Sequence, residues 1–219
     1  MSEYAAPIAD MRFVLDELAD LAGIARLPGY EDATADLVDA ILNEAGRFAA
    51  EVLAPLNHPG DREGCTFENG IVRTPRGFPD AYARFVEAGW GSLPFDPAYG
   101  GQGLPWTLAT AIQEMWHGAN MSFGLAPLLT QGAVELLQAH GTQAQRRTYL
   151  PKLISGEWTG TMNLTEPQAG SDVGALKTRA EPDGDSGRYR IVGQKIFITW
   201  GEHDCADNIV HMVLARTPG

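Results

Sequence analysis

Cysteine is nearly absent from this sequence of 219 residues: Cys65 and Cys205 stand alone. Two cysteines so far apart make no disulfide framework, and neither sits in a Cys-x-x-Cys pair or a Cys/His cluster. No metal centre is expected, only two free thiols in a reducing compartment. The five histidines, His58, His117, His140, His203 and His211, lack metal-ligand spacing and are expected to be surface or packing residues. Cations are scarce as well. Sixteen Lys and Arg against twenty-eight Asp and Glu leave a formal charge of −12, a field that repels phosphate backbones and anionic lipid. Neither nucleic acid nor a membrane is therefore expected as a partner. No apolar run approaches the ~20 residues of a membrane span. The opening MSEYAAPIADMRF carries acids where a secretory leader needs cations, so a cytoplasmic location is expected. Three fingerprints are missing too: a G-x-G-x-x-G after a strand, a Walker-type loop, and a G-x-S-x-G elbow. GGQG at Gly100 to Gly103 has no strand before it and reads as a plain loop. A nucleotide cofactor remains compatible with the acidity, because backbone N–H groups can hold a phosphate locally.

What is present is apolar patterning. Hydrophobic residues make up 44%, enough for a sizeable core. Phe13, Val14, Leu18 and Leu21 recur at three-to-four spacing and predict one buried face over 11–24, broken by Pro28-Gly29. Thr34 caps a helix carrying Leu37, Val38, Ile41, Leu42, Phe48 and Val52, which Pro55 is expected to stop. Asn69-Gly70 is a hairpin signal. A short helix with Tyr82, Phe85 and Val86 inward follows, then a Pro/Gly-dense stretch. Pro105 opens a helix through Trp116, a second apolar helix covers about 123–140, and Gly141 looks like its stop. Thr142 caps a last amphipathic helix that Gly156 ends.

After Gly156 the segments become short and rich in β-formers: WTGTMNLT, RYRIVG, KIFITW and NIVHMVLA, separated by turn-rich EPQAGSDVG and EPDGDSG. The fold class is therefore α+β with more than one domain. An N-terminal all-α domain occupies 1–157, with 1–33 as an N-terminal extension. The first part of a β domain occupies 158–219. Four or five strands neither close a barrel nor cover a sandwich face, so this β-barrel or sandwich domain is expected to be incomplete within the chain.

Two segments in the β region could carry chemistry. In LTEPQAGSD, Leu164 to Asp172, Gly170 permits a tight backbone and Ser171 adds a hydroxyl, so the loop could present donors to a phosphate or a ring carbonyl. Thr165 could aim its hydroxyl at a planar ligand. The same loop also fits a plain Pro/Gly turn with Asp172 as a cap. In QKIFITWG, Gln194 to Gly201, alternation puts Lys195, Phe197 and Thr199 on one face. An aromatic and a hydroxyl two residues apart suit a flat heterocycle, although an ordinary half-buried strand reads the same way. Glu202, His203 and Asp204 are adjacent, but loop neighbours diverge, so they form no catalytic unit.

The run MNLTEPQAGSDVGALKTRAE followed by YRIVGQKIFITWG strongly resembles the paired flavin-binding signatures of the acyl-CoA dehydrogenase family. YLPKLISGEWTGT and DPAYGGQGLP also resemble that family, in the same order. PIADMRFVL with LPGYEDATADLVDAIL, and EVLAPLN with GDREGCTF, resemble a longer bacterial branch that includes 3-methylmercaptopropionyl-CoA dehydrogenase-like enzymes. The resemblance implies an N-terminal helical domain, a middle β domain and a C-terminal helical domain, with FAD between the last two. It implies α,β-dehydrogenation of an acyl-CoA to a 2-enoyl-CoA, with electrons passed to an electron-transfer flavoprotein, and a homo-oligomer. By position, Met162, Leu164 and Thr165 match residues along the flavin ring, Gly170 and Ser171 the turn near the pyrophosphate, and Phe197 and Thr199 the aromatic–Thr pair. Ser171 also matches a position near the thioester substrate. Met162 stands where many members carry an aromatic residue, Phe197 where they carry tryptophan, Gln168 at a frequent glycine and Trp200 at a frequent asparagine. The family's catalytic glutamate belongs to the C-terminal domain, which is expected to lie outside this chain, so no carboxylate here is assigned as the base and the chain alone is expected to be inactive. An acyl-CoA oxidase and a non-catalytic acyl-CoA-binding or assembly module are the rival readings.

Overall fold

The structure, a computed structural model, describes residues 4–218. Its first part is helical. The Thr34 hydroxyl accepts the Leu37 N–H at 3.3 Å and starts α3, Ala35–Phe48, which follows the short helices α1, Ile8–Phe13, and α2, Leu21–Ile24. α3 runs through a π turn, Ala49–Leu53, into α4, Ala54–Glu63. Pro55 therefore does not stop this helix. It sits in the first turn of α4, where the π turn has already interrupted the regular bond ladder and the missing amide costs little. Val38, Leu42, Ala49 and Leu53 line the buried side of this run, while Leu37 is exposed.

The stripe expected over 11–24 is out of register. Phe13, Val14 and Leu18 are 60%, 47% and 72% exposed while Met11 and Leu15 are buried in their place; of the expected stripe only Leu21 is buried. A π turn over Val14–Leu18 changes the pitch, so a 3.6-residue period no longer predicts the inward face. Arg12 ties this segment to α3 by a 3.0 Å ion pair with Asp39.

β1, Thr66–Glu68, and β2, Ile71–Arg73, form the expected hairpin, with Asn69 and Gly70 both at positive φ, as a type I′ turn requires. α5, Phe78–Glu87, turns Phe78, Tyr82 and Phe85 inward. With Phe48, Trp90 and Trp116 they build an aromatic core; the ring centroids of Phe48 and Trp116 are 5.4 Å apart. The two helices expected over 105–116 and 123–140 are both present as the two arms of α6, Trp106–His140, which are separated at Asn120 by a non-helical backbone with φ −157° and ψ 91°. Asn120 causes and caps the bend: its Oδ1 accepts the Phe123 N–H at 3.1 Å and its Nδ2 donates to the Leu53 carbonyl at 3.2 Å. α7, Gln143–Ser155, opens with a full Thr142–Gln145 capping box and ends at left-handed Gly156.

The strands that follow are few. β3, Trp158–Asn163, lies against α6 and pairs in parallel with β6, Asn208–Val213. β4, Arg179–Pro182, pairs antiparallel with β5, Tyr189–Val192. β4 lacks β-branched residues and was not expected; its partner creates it. KIFITW is not a strand. Phe197 and Trp200 adopt positive φ and interrupt the extended run. Among the described residues the strands form three two-stranded sheets and no closed barrel.

Candidate functional site

The loop after β3 is closed on itself. Glu166 N–H donates to the Ala169 carbonyl at 2.9 Å, and Ala169 N–H returns the bond at 3.0 Å. Asp172 gives no side-chain cap to the short 3-10 turn that follows it. Met162, within β3, stands opposite Met212, and its side chain covers Gly132 of α6. Leu164 is exposed and Thr165 half-buried. Gly170 and Ser171 are exposed. Gly170 has no positive φ, and a Cβ built there would meet nothing within 4 Å.

The second segment lies alongside the first. Ile196 N–H donates to the Thr165 carbonyl at 3.0 Å. Lys195 Nζ donates to the Leu164 carbonyl at 2.8 Å and to Glu166 Oε1 at 2.9 Å. Phe197 is 87% exposed, its ring without a packing partner, and Thr199 is exposed beyond it. The expected alternation fails here because left-handed Phe197 rotates the chain, so Phe197 and Thr199 do not share a strand face. Trp200 turns inward instead: its indole N–H donates to the Ser122 carbonyl at 2.9 Å, and its ring stacks on Phe78.

Several residues at this site had no signal in the sequence. Glu166 and Lys195 are nearly buried, at 3% and 9% side-chain exposure. Burial alone would raise the Glu166 pKa, but bonds from Thr178, Lys195 and the Lys177 amide outweigh it and hold the carboxyl well below its usual range. His203 accepts the Cys205 N–H on Nδ1 at 3.1 Å, so Nε2 carries the proton and donates to Thr159 Oγ1. Burial pushes this imidazole's pKa down despite Glu202 and Asp204 beside it. His203 is thus a packing residue, as the sequence suggested. Glu202, His203 and Asp204 do diverge: Asp204 Oδ1 accepts the Thr74 N–H and hydroxyl at 3.0 and 2.7 Å. Next to this loop lies a cleft of about 650 Å³, lined by His58, Phe78, Met121, Leu125, Trp200 and His203; none of the seven sequence candidates lines it. Among the described residues no group of three or more His, Cys, Asp or Glu could hold a metal ion. No helix among them is long and apolar enough to cross a membrane.

Two family models match this chain. The acyl-CoA dehydrogenase N-terminal domain matches residues 36–157, and the acyl-CoA dehydrogenase middle domain matches residues 161–219. The chain belongs to the acyl-CoA dehydrogenase family. Among its relatives, a 3-methylmercaptopropionyl-CoA dehydrogenase of Ruegeria pomeroyi is 49% identical over 98% of this chain and 36% of the relative. A butyryl-CoA dehydrogenase of Syntrophomonas wolfei is 40% identical over 98% of this chain and 36% of its own. The first is the branch that the opening residues resemble. The fold agrees with a solved acyl-CoA dehydrogenase complexed with FAD from Bacillus anthracis, with TM-score 0.69 at 22% identity over 84% of this chain and 29% of that one. The acyl-CoA dehydrogenase chain described here spans about 36% of the length of the curated relatives it matches.

Proposed function

We propose that these residues supply the flavin-holding wall of an FAD-dependent acyl-CoA dehydrogenase. The observation that carries the proposal is the joining of two segments that lie 31 residues apart at Lys195 and Leu164, with Leu164 and Phe197 left facing solvent. An aromatic ring and an aliphatic side chain exposed on a hydrogen-bonded platform suit a flat, apolar-faced partner. The fit extends to Gly170. The backbone there does not need a glycine, so a bare Cα leaves open space that a pyrophosphate can approach.

In this reading Met162, Leu164 and Thr165 line the flavin ring, with the Thr165 hydroxyl as a donor. Gly170 and Ser171 meet the pyrophosphate, and Ser171 also the acyl-CoA thioester. Phe197 covers a ring face and Thr199 its polar edge. When bound, FAD supplies the hydride acceptor for α,β-dehydrogenation of an acyl-CoA to a 2-enoyl-CoA; the chain's own residues orient and exclude water. Glu166 is unsuited to take the α-proton, because its oxygens are occupied by donors and it holds its proton weakly. The family resemblance, rather than any carboxylate of these residues, assigns the base to the C-terminal helical domain. The same reading makes 1–33 an extension of a helical domain ending near 157. It also makes an electron-transfer flavoprotein the electron acceptor, the assembly a homo-oligomer and the location cytoplasmic.

The test is spectroscopic. Full-length protein should carry the visible absorption of bound flavin, bleach anaerobically with an acyl-CoA, and pass electrons to an electron-transfer flavoprotein. Peroxide release in air without an acceptor would mark an oxidase. Tight acyl-CoA binding without flavin would mark a non-catalytic module. A colourless protein that FAD does not reconstitute would overturn the assignment.

A further inference from the structure

We infer that Glu166 and Lys195 are positioning residues that set the register of the two flavin-facing segments against each other. The inference rests on the flavin reading above. Lys195 Nζ bridges the Leu164 carbonyl and the Glu166 carboxylate, and the neighbouring Ile196 amide takes the Thr165 carbonyl. Three consecutive residues of the first segment are thereby tied to two consecutive residues of the second. The side chains left outside this seam are Leu164, Thr165 and Phe197, three of those proposed to meet the flavin.

Few other bonds run directly between the two segments. Among the described residues, Ile196 to Thr165 is the single backbone hydrogen bond between the two segments, and no strand ladder joins them. Phe197 has a left-handed backbone and an exposed ring, so packing does not orient it. Glu166, by contrast, is fixed. Its carboxylate also accepts the Lys177 and Thr178 amides at 2.7 and 3.0 Å and the Gln168 side chain at 2.6 Å. Lys195 therefore docks on an anchored, ionised acceptor. Burying such a pair adds little net stability, since desolvation offsets the attraction, whereas its directional bonds discriminate one register from its neighbours. A role in placing the two segments follows.

Full-length protein with Lys195→Met, Lys195→Arg, Glu166→Asp and the Glu166→Gln/Lys195→Met double substitution tests this. The readouts are the FAD dissociation constant, the absorption spectrum of bound flavin, and the melting temperature without flavin. Lys195→Met should weaken FAD binding by about tenfold or more and shift the flavin bands, as loss of a charge-assisted bond predicts. Lys195→Arg should stay within about threefold, and the double substitution should bind FAD no more tightly than Lys195→Met, because the amide nitrogen it places at position 166 also faces the Lys177 or Thr178 N–H. Glu166→Asp keeps the charge but withdraws it by one methylene; it should weaken FAD binding by at least about threefold. Unchanged FAD affinity and spectrum in folded Lys195→Met would overturn the inference. Should Lys195→Met not fold, unchanged affinity in Glu166→Asp would overturn it equally. Failure of the unsubstituted protein to bind FAD would overturn the flavin reading itself, and this inference with it.

Discussion

His203 donates its Nε2–H to Thr159 Oγ1 across 2.9 Å, and both residues are buried. That bond pins the loop carrying Trp200 to the first strand of the β region. Thr159→Val keeps the shape but strands the imidazole N–H in an apolar setting. The cost should be about 1–3 kcal/mol, read as a lower urea midpoint with unchanged slope.

The same histidine makes stability depend on pH. Its folded pKa lies below the ordinary 6.5 because burial disfavours the cation. Below that ordinary value the unfolded chain binds the proton first, so stability falls as pH drops below about 6.5. His203→Gln should lose this component: its unfolding free energy should vary less over that window than that of the unsubstituted protein.

The two thiols should react at very different rates. Cys65 is exposed, while Cys205 is partly buried and its pKa is pushed up to about 11 by desolvation. At pH 8 a thiol reagent such as an aromatic disulfide should label Cys65 rapidly and Cys205 slowly, with Cys205 catching up in denaturant. Equal native rates would contradict the burial.

Phe197→Ala should separate binding from folding. The ring is 87% exposed, so its removal should change stability by less than about 0.5 kcal/mol. Flavin affinity should fall by about tenfold if the ring covers the isoalloxazine, as expected for loss of an aromatic contact. Titration of FAD into the purified variant checks this.

Gly101→Ala should be among the most damaging single changes. A Cβ there would stand 1.9 Å from the Phe95 carbonyl oxygen, and backbone cannot swing away as a side chain can. A loss of about 3 kcal/mol or more is expected, measured by thermal melting. GGQG is thus a loop whose glycine answers to its own chain rather than to a phosphate.

Much of the fold was legible because it is local. The Thr34 and Thr142 caps, the Asn69-Gly70 turn and the Gly156 stop are decided by bonds spanning a few residues, and the structure keeps each. The misplaced stripe over 11–24 and the helix that runs past Pro55 share one cause. π turns alter the pitch without leaving a residue-type signal, so counting in steps of 3.6 drifts. The two arms of α6 were legible as two helices, but not the tie that fixes the kink between them, because Asn120 draws its partner from Leu53, far back in the chain.

The sequence by itself determined the helical-then-strand order, the local caps and the two motif segments that mark the family. Only the tertiary structure decided that QKIFITWG leaves the strand path, that Trp200 turns inward, and that Lys195 reaches Glu166. Capping and turn formation depend on residues within one turn of each other. The pairing of a buried lysine with a buried glutamate depends on which distant segments the packing of α6 and β3 brings together, and no local pattern encodes that.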